Sequence, residues 1–332
     1  MTPPAAPNAL VVLIALACLP FWCHAGPSTV KLIFGGDVML ADGPGRLIAA
    51  GGDPLAPIAA LLQAADVAIG NLETSVASAN TGMPLDNKIY TFRATPQTVN
   101  VLKGRFAAMS VANNHSGDFG REAFMETLAH LRSVDIAAFG GGANLREAHT
   151  PYWIAKNGIR IALLGYNEFK PRSFEAGAQW PGVAWSEDSH VVADIRAAKA
   201  AGADVVIPFM HWGWESEPKP SQRQRDLARL MVQAGADAVV GSHPHVTQGV
   251  DMVLGKPVIW SLGNLVFDGF ELPAAKLGWL LRMTVDKHGI HNWNTVAVRM
   301  DINGTPVPDP STLTPCGHRG KQNDACLYSK LP

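Results

Sequence analysis

The chain has 332 residues, of which 17% are charged and 47% hydrophobic, and its 27 Lys+Arg and 28 Asp+Glu leave a net charge of −1 with His neutral. That composition excludes a disordered chain, which would be rich in charge and poor in apolar residues, and argues against a nucleic-acid binder working through bulk positive charge. The length can bury one large core or two modest ones, and 11 His stand out in a chain with so little charge.

Ala9 to Trp22 is an apolar run without a charged side chain, too short to span a bilayer comfortably. It ends in Cys23-His24-Ala25-Gly26, a pattern suited to cleavage after Ala25. A secretory signal peptide over 1–25 is therefore expected, and with it an exported chain, periplasmic, extracellular or at the cell surface. The n-region departs from that pattern in having no Lys or Arg; an apolar anchor that is never cut is the alternative. Cleavage would remove Cys18 and Cys23 and leave Cys316 and Cys326. In an exported chain that pair predicts a disulfide pinning a C-terminal tail over 311–332. A zinc site there is disfavoured, because His318 would leave the ligand set incomplete.

The rest of the chain alternates strand and helix signals, with no internal repeat. Val30 to Gly36 is apolar and β-rich. Asp53-Pro54 offers an N-cap followed by proline at the first helical position, with Leu55, Ile58, Ala59 and Leu62 at helical spacing. Ala65 to Ile69 reads as a buried strand. Thr95-Pro96 repeats the cap-then-proline device, and Phe106 to Val111 is the next strand. Arg121 to Val134 carries Phe124, Leu128 and Leu131 on one helical face. Ile159 to Leu164 predicts a strand, Ser189 to Ala201 a helix and Ala203 to Phe209 a strand. Ser221 and Gln224 form a capping box ahead of Leu227, Leu230, Met231 and Ala234. Ala236 to Val240 and Pro257 to Ser261 follow as strands. Trp279 to Val285 and Asn294 to Met300 read as antiparallel partners joined around Lys287-His288-Gly289. The alternation predicts a layered α/β fold, in which ligands gather beyond the carboxyl ends of the strands.

Polar clusters stand at those ends: Gly35-Gly36-Asp37, Gly70-Asn71-Leu72-Glu73, Asn113-Asn114-His115-Ser116-Gly117-Asp118, His211-Trp212-Gly213-Trp214-Glu215 and Ser242-His243-Pro244-His245. Taken singly, each also fits a turn or a packed patch. His243-Pro244-His245 is the strongest piece, since proline stiffens the turn and keeps two imidazoles close. Together the clusters predict a centre for one or two divalent ions, with Mn, Zn and Fe suited to carboxylate, carboxamide and imidazole donors. Two such ions could activate water against a phosphoryl or acyl group.

In order, the pieces GDVML at 36–40, NLE at 71–73, ANNHSGDFG at 112–120, GGGANLREAHTP at 140–151, HWGWE at 211–215, GSHPHV at 241–246 and SLGNLVFD at 261–268 resemble the CapA family of poly-γ-glutamate capsule-synthesis proteins. The resemblance runs from Lys31 to Asp268. That family is in turn similar to the calcineurin-like metallophosphoesterases. This implies a four-layer α/β/β/α sandwich of the metallo-dependent phosphatase type over 26–310. It also implies one metal on Asp37, Glu73 and His245, and a second on Glu73, Asn114, His211 and His243. His115, with Asp118, would handle the catalytic proton. Asn71 would support the ligands from behind, and Asp118 and Glu215 would orient His115 and His211. Two positions depart from the phosphoesterase pattern: Met39 replaces the histidine of Asp-x-His, and Glu73 replaces a bridging Asp.

The implied function is a metal-dependent hydrolase of capsule or poly-γ-glutamate biosynthesis using metal-activated water. The alternative is a non-catalytic component that binds or guides the polymer. Lys170, Arg172, Lys219, Arg223 and Arg225 offer it scattered cations but no dense run. The implied partners are poly-γ-glutamate or another anionic polymer and capsule-synthesis membrane proteins, with no nucleic acid.

Overall fold

A computed structural model describes residues 1–4, 28–86 and 88–326. Nearly all of the expected signal peptide, with Cys18 and Cys23, lies outside the described residues. Among the described residues no helix is long and apolar enough to cross a membrane.

Two sheets carry the fold. The larger has 10 strands. At its centre Val30–Val38 runs parallel to Val67–Leu72, which runs parallel to Ala108–Ser110 and then Ala137–Phe139. On the other side Val30–Val38 pairs antiparallel with Leu277–Asp286, which pairs with Gly289–Met300. The second sheet has six strands, with Ile159–Asn167, Val205–His211, Val239–Ser242 and Lys256–Ile259 parallel and an antiparallel strand at each edge.

Strand alternation sorts the side chains into layers. Leu32, Phe34, Ile69 and Ala108 from the first sheet meet Ile161, Leu163, Ile207, Phe209 and Val240 from the second in one buried core. Phe34 and Phe209 make an edge-on ring contact across it, with centroids 5.9 Å apart. Ile33 and Ala68 face outward and pack under Leu62, Phe124, Leu128 and Leu131. On the far side Ala162, Leu164 and Val206 pack under Val191 and Ile195 of the helix Asp188–Ala200 and Leu227 and Met231 of the helix Gln222–Ala234. The result is a four-layer α/β/β/α sandwich.

Local chemistry explains the element ends. The Ser221 hydroxyl accepts from the Gln224 N–H while the Gln224 side chain accepts from the Ser221 N–H, closing the capping box. The two X-Pro starts differ from expectation. Asp53-Pro54 leads into a turn, then a 3-10 segment Ala56–Ile58, and the helix itself is only Ala59–Gln63. Thr95-Pro96 opens a 3-10 segment, Pro96–Val101. The Asp53 carboxylate is shared between the Leu55 N–H and Arg105, which ties this turn to the loop before Ala108. The segment 311–326 is more than an appended tail. Thr314–His318 pairs with Gly289–Met300, and Lys321–Cys326 pairs back on it, so a hairpin extends the large sheet. The Cys316–Cys326 disulfide crosses that hairpin.

Within each sheet, neighbouring strands approach closely where glycines remove side chains. A Cβ on Gly36 would stand 1.9 Å from the Gly263 carbonyl oxygen, and one on Gly241 would stand 2.1 Å from that of Trp260. Both obstacles are backbone. Gly36→Ala and Gly241→Ala are each expected to cost about 1–3 kcal/mol through overpacking, read as a lower urea midpoint at unchanged slope; a midpoint equal to the wild type's would contradict this packing.

Candidate metal centre

Parallel strands of both sheets end at the same edge and deliver their polar residues to one place. Asp37 closes Val30–Val38 and Glu73 follows Val67–Leu72. Asn113, Asn114 and His115 follow Ala108–Ser110. His211 ends Val205–His211, and His243 and His245 follow Val239–Ser242. All of these side chains are buried, with Asp37, Glu73 and His243 at 0% exposure.

Asp37 joins the two sheets. Its Oδ1 accepts from Asn71 Nδ2 at 2.8 Å and its Oδ2 accepts from the His243 backbone N–H at 3.1 Å. Asn71 is fixed in turn, its Oδ1 accepting from Asn113 Nδ2 at 3.0 Å. His211 lies with Nε2 2.7 Å from Asn114 Oδ1 and 3.3 Å from Glu73 Oε1, and with Nδ1 3.2 Å from Asn71 Nδ2. His245 Nδ1 faces Asn264 Oδ1 at 2.8 Å, which leaves Nε2 toward Glu73 at 4.0 Å. His243 and His245 have φ of 98° and 57°, so the His243-Pro244-His245 turn holds non-glycine residues in a sparsely populated region.

Among the described residues, four buried atoms here have no hydrogen-bond partner: both carboxylate oxygens of Glu73 and both ring nitrogens of His243. Orphaned buried polar atoms are costly, and these are all cation donors. Ligand atoms of Asp37, Glu73 and His245 lie within 4.8 Å of one another, as do those of Glu73, His211 and His243. Glu73 is common to both sets. The donors therefore fit two divalent ions of the kind that takes mixed carboxylate and imidazole ligands.

Burial sets the electrostatics. It raises the Glu73 carboxyl well above its ordinary range, helped by the Asp37 charge. It pulls His211 down to about 3 and His243 well below the imidazole range, the latter aided by the neighbouring His211 and His245. For His245 burial acts in the same direction, but the Glu73 and Asp37 carboxylates outweigh it and hold the ring above its usual value.

His115 sits to one side. Its Nδ1 is 2.8 Å from Asp118 Oδ2, its Nε2 is 3.9 Å from Glu73 Oε1, and Phe92 stacks on the ring at 4.4 Å. Burial lowers it to about 4, with Asp118 pulling the other way. Asp118 thus orients His115. Glu215 does not do the same for His211, which is held by Asn71, Asn114 and Ser242. Glu215 is exposed, and its carboxylate groups with His243 and His245. Met39 turns away from the donors into an apolar cluster with Ala41, Phe92 and Phe267.

Two participants, Lys88 and Asn264, are not among the residues that the sequence singles out. Lys88 reaches in from the loop before Arg93–Ala94, donates to the Asn114 carbonyl at 2.7 Å and pairs with Asp118. No local pattern marks it. Asn264, which fixes the His245 tautomer, lies inside the SLGNLVFD piece, and its place after a buried strand was the available hint. Phe169 packs on His243 at 4.0 Å and Phe267 and Phe270 on His245 at 5.0 and 4.9 Å, walling the donors from water.

Residues 31–269 match the family described as bacterial capsule synthesis protein PGA_cap. The chain is similar to the PGA biosynthesis protein CapA of Bacillus subtilis (strain 168), with 35% identity over 210 residues, covering 63% of this chain and 55% of that protein. It is also similar to the capsule biosynthesis protein CapA of Bacillus anthracis, with 36% identity over 183 residues, covering 53% of this chain and 44% of that protein. The chain thus spans about half the length of the curated relatives it matches. Among solved structures, the NAD nucleotidase of Haemophilus influenzae is similar in outline, with a TM-score of 0.48 at 12% identity, covering 85% of this chain and 60% of that one.

The depressed imidazoles give a direct test. Because His115 and His211 are held at about 4 and about 3, each keeps its neutral ring as pH falls through the usual imidazole range near about 6.5. In chelator-treated protein, ¹⁵N-histidine NMR is expected to show both rings neutral from pH 7 to pH 5 on this reading; a midpoint near that of free imidazole would contradict the burial.

Proposed function

The chain belongs to the bacterial capsule synthesis protein family, and from that premise we propose that it acts outside the cytoplasm as a metal-dependent hydrolase on an anionic polymer of the poly-γ-glutamate type. The observation that carries this reading is the set of partnerless buried donor atoms on Glu73 and His243, shared between two ligand groups at the strand ends. Asp37, Glu73 and His245 would hold one cation, and Glu73, Asn114, His211 and His243 the other. Such ions, when bound, supply Lewis acidity and a more acidic water.

The remaining work falls to the chain's own residues. Asp118 accepts from His115 Nδ1, so Nε2 is the ring position free to exchange a proton. Burial keeps that ring neutral. A substrate anion brought beside it would favour the imidazolium, which then hands its proton from Nε2 to a leaving-group oxygen. Lys88 balances the Asp118 charge and keeps the pair in register. Phe92, Phe169 and Phe267 exclude bulk water and strengthen each of these interactions.

The polymer-guiding alternative needs free positive charge. Arg172 pairs with Glu175 and Glu187, Arg223 with Glu168 and Asp188, and Arg225 with Asp251, which ties up the three arginines and leaves Lys170 and Lys219, too few for a dense basic groove. Metal-dependent hydrolysis is therefore the preferred reading.

Purified protein is expected to contain a divalent metal and to hydrolyse a model phosphodiester or poly-γ-glutamate, with turnover lost on chelation and restored on reloading. His115→Ala is expected to lower kcat by roughly 10²–10⁴-fold while metal content is kept. Metal-free wild-type protein, or turnover that survives chelation, would overturn the reading, and salt-sensitive polymer binding without turnover would favour the guiding role.

A further inference from the structure

We propose that Glu215 is a metal ligand, supplying from the solvent side a donor to the cation held at the His243 and His245 imidazoles. The proposal rests on the metal reading above and adds a residue to it.

The inner donors are already committed. Asp37 accepts from Asn71 through one oxygen and from the His243 N–H through the other. The His245 Nδ1 is taken by Asn264. The Met39 sulfur takes the Ala41 N–H inside the cluster with Phe92 and Phe267, and a thioether is in any case a poor ligand for Zn or Mn. Asp37, Glu73 and His245 thus make three residues where such ions commonly take four or more ligands. A further ligand, either a protein donor or water, has to come from the open side.

Glu215 is placed there by a specific clip. The segment after His211 turns back on itself, Ser216 adopts φ 63°, and its N–H donates to the Pro244 carbonyl at 2.8 Å. That bond ties the Glu215 segment to the His243-Pro244-His245 turn. One carboxylate oxygen of Glu215 and ring nitrogens of His243 and His245 consequently lie within 4.8 Å of one another. Among the described residues the Glu215 side chain makes no hydrogen bond or ion pair, although Lys219 lies four positions on in the chain. An ordinary surface carboxylate would also be solvated, but it would have no reason to sit over His243, a fully buried imidazole with both nitrogens unpartnered. A cation reconciles the two, since it satisfies the buried imidazole and neutralises a third acid placed beside Asp37 and Glu73. As the exposed member of its group, Glu215 is also the ligand that an incoming anionic oxygen can displace.

The test is metal binding, independent of turnover. Wild type, Glu215→Gln, the surface control Glu217→Gln and His243→Ala are dialysed against Mn²⁺ or Zn²⁺, counted by mass spectrometry and titrated calorimetrically, with thermal melts of the metal-free forms. Glu215→Gln is expected to weaken one ion by at least about 10-fold, as removal of even a supporting group does at metal sites, with the metal-free melt unchanged; Glu217→Gln should match wild type. Two-ion binding with wild-type affinity in Glu215→Gln would overturn the proposal alone. A wild type that takes up no ion would overturn both the proposal and the metal reading.

Discussion

The structure depends on the burial of two carboxylates, Asp37 and Glu73, at the seam between the sheets. Removing a carboxylate from water costs several kcal/mol unless it is paired or hydrogen-bonded. Asp37 is compensated by neutral donors, the Asn71 carboxamide and the His243 N–H. Glu73 has no such bonds and faces His211, His245 and His115 at 3.3 to 4.0 Å. The two acids are therefore not equivalent. One is built into the scaffold and the other is left available to whatever positive charge the centre takes up.

Holding that arrangement requires both sheets. The Asp37 side of the seam comes from the larger sheet and the His211, His243 and His245 side from the smaller. The meeting of the two sheets depends on the continuous apolar core behind the seam, while absent side chains at Gly36 and Gly241 let neighbouring strands within each sheet approach closely. Packing energy from Phe34, Phe209 and their neighbours thus holds the polar edge in place, since a well-packed core resists the relaxation that would let the ligands drift apart. The αL-like backbone at His243 and His245 belongs to the same economy, because strain in a turn persists only where its surroundings over-determine it.

What was legible in the sequence follows from range. The apolar strands, the Ser221 capping box and the antiparallel pair around Lys287-His288-Gly289 depend on neighbours a few positions away, and they formed, with the second strand of that pair starting at Gly289 instead of Asn294. Asp53-Pro54 and Thr95-Pro96 carried a correct start signal but too little helix-forming sequence behind it, so 3-10 turns took the place of longer helices. The donors themselves were visible because each follows a strand. Their supports were less visible: Lys88 meets Asp118 across 30 positions from an unpatterned loop, and Glu215 is carried to the His243-Pro244-His245 turn by the Ser216 N–H bond to the Pro244 carbonyl. The edge hairpin 314–326 was hidden because its strands are polar and short, and only pairing with Gly289–Met300 gives them a place.

The departures at positions 39 and 73 are coupled by geometry. A methionine at 39 adds its thioether to the Phe92 and Phe267 wall, and that same Phe92 stacks on His115 while its N–H holds Asp118 at 2.7 Å. Packing there tightens the proton-handling side of the site. The extra methylene of Glu73 gives its carboxylate longer reach than an aspartate at the same backbone position, enough to approach His211, His245 and His115 together. The acid that reaches furthest is also the one whose charge burial penalises most clearly, so cation uptake and ionisation of Glu73 are linked: each favours the other, and the centre gathers its charge as a unit.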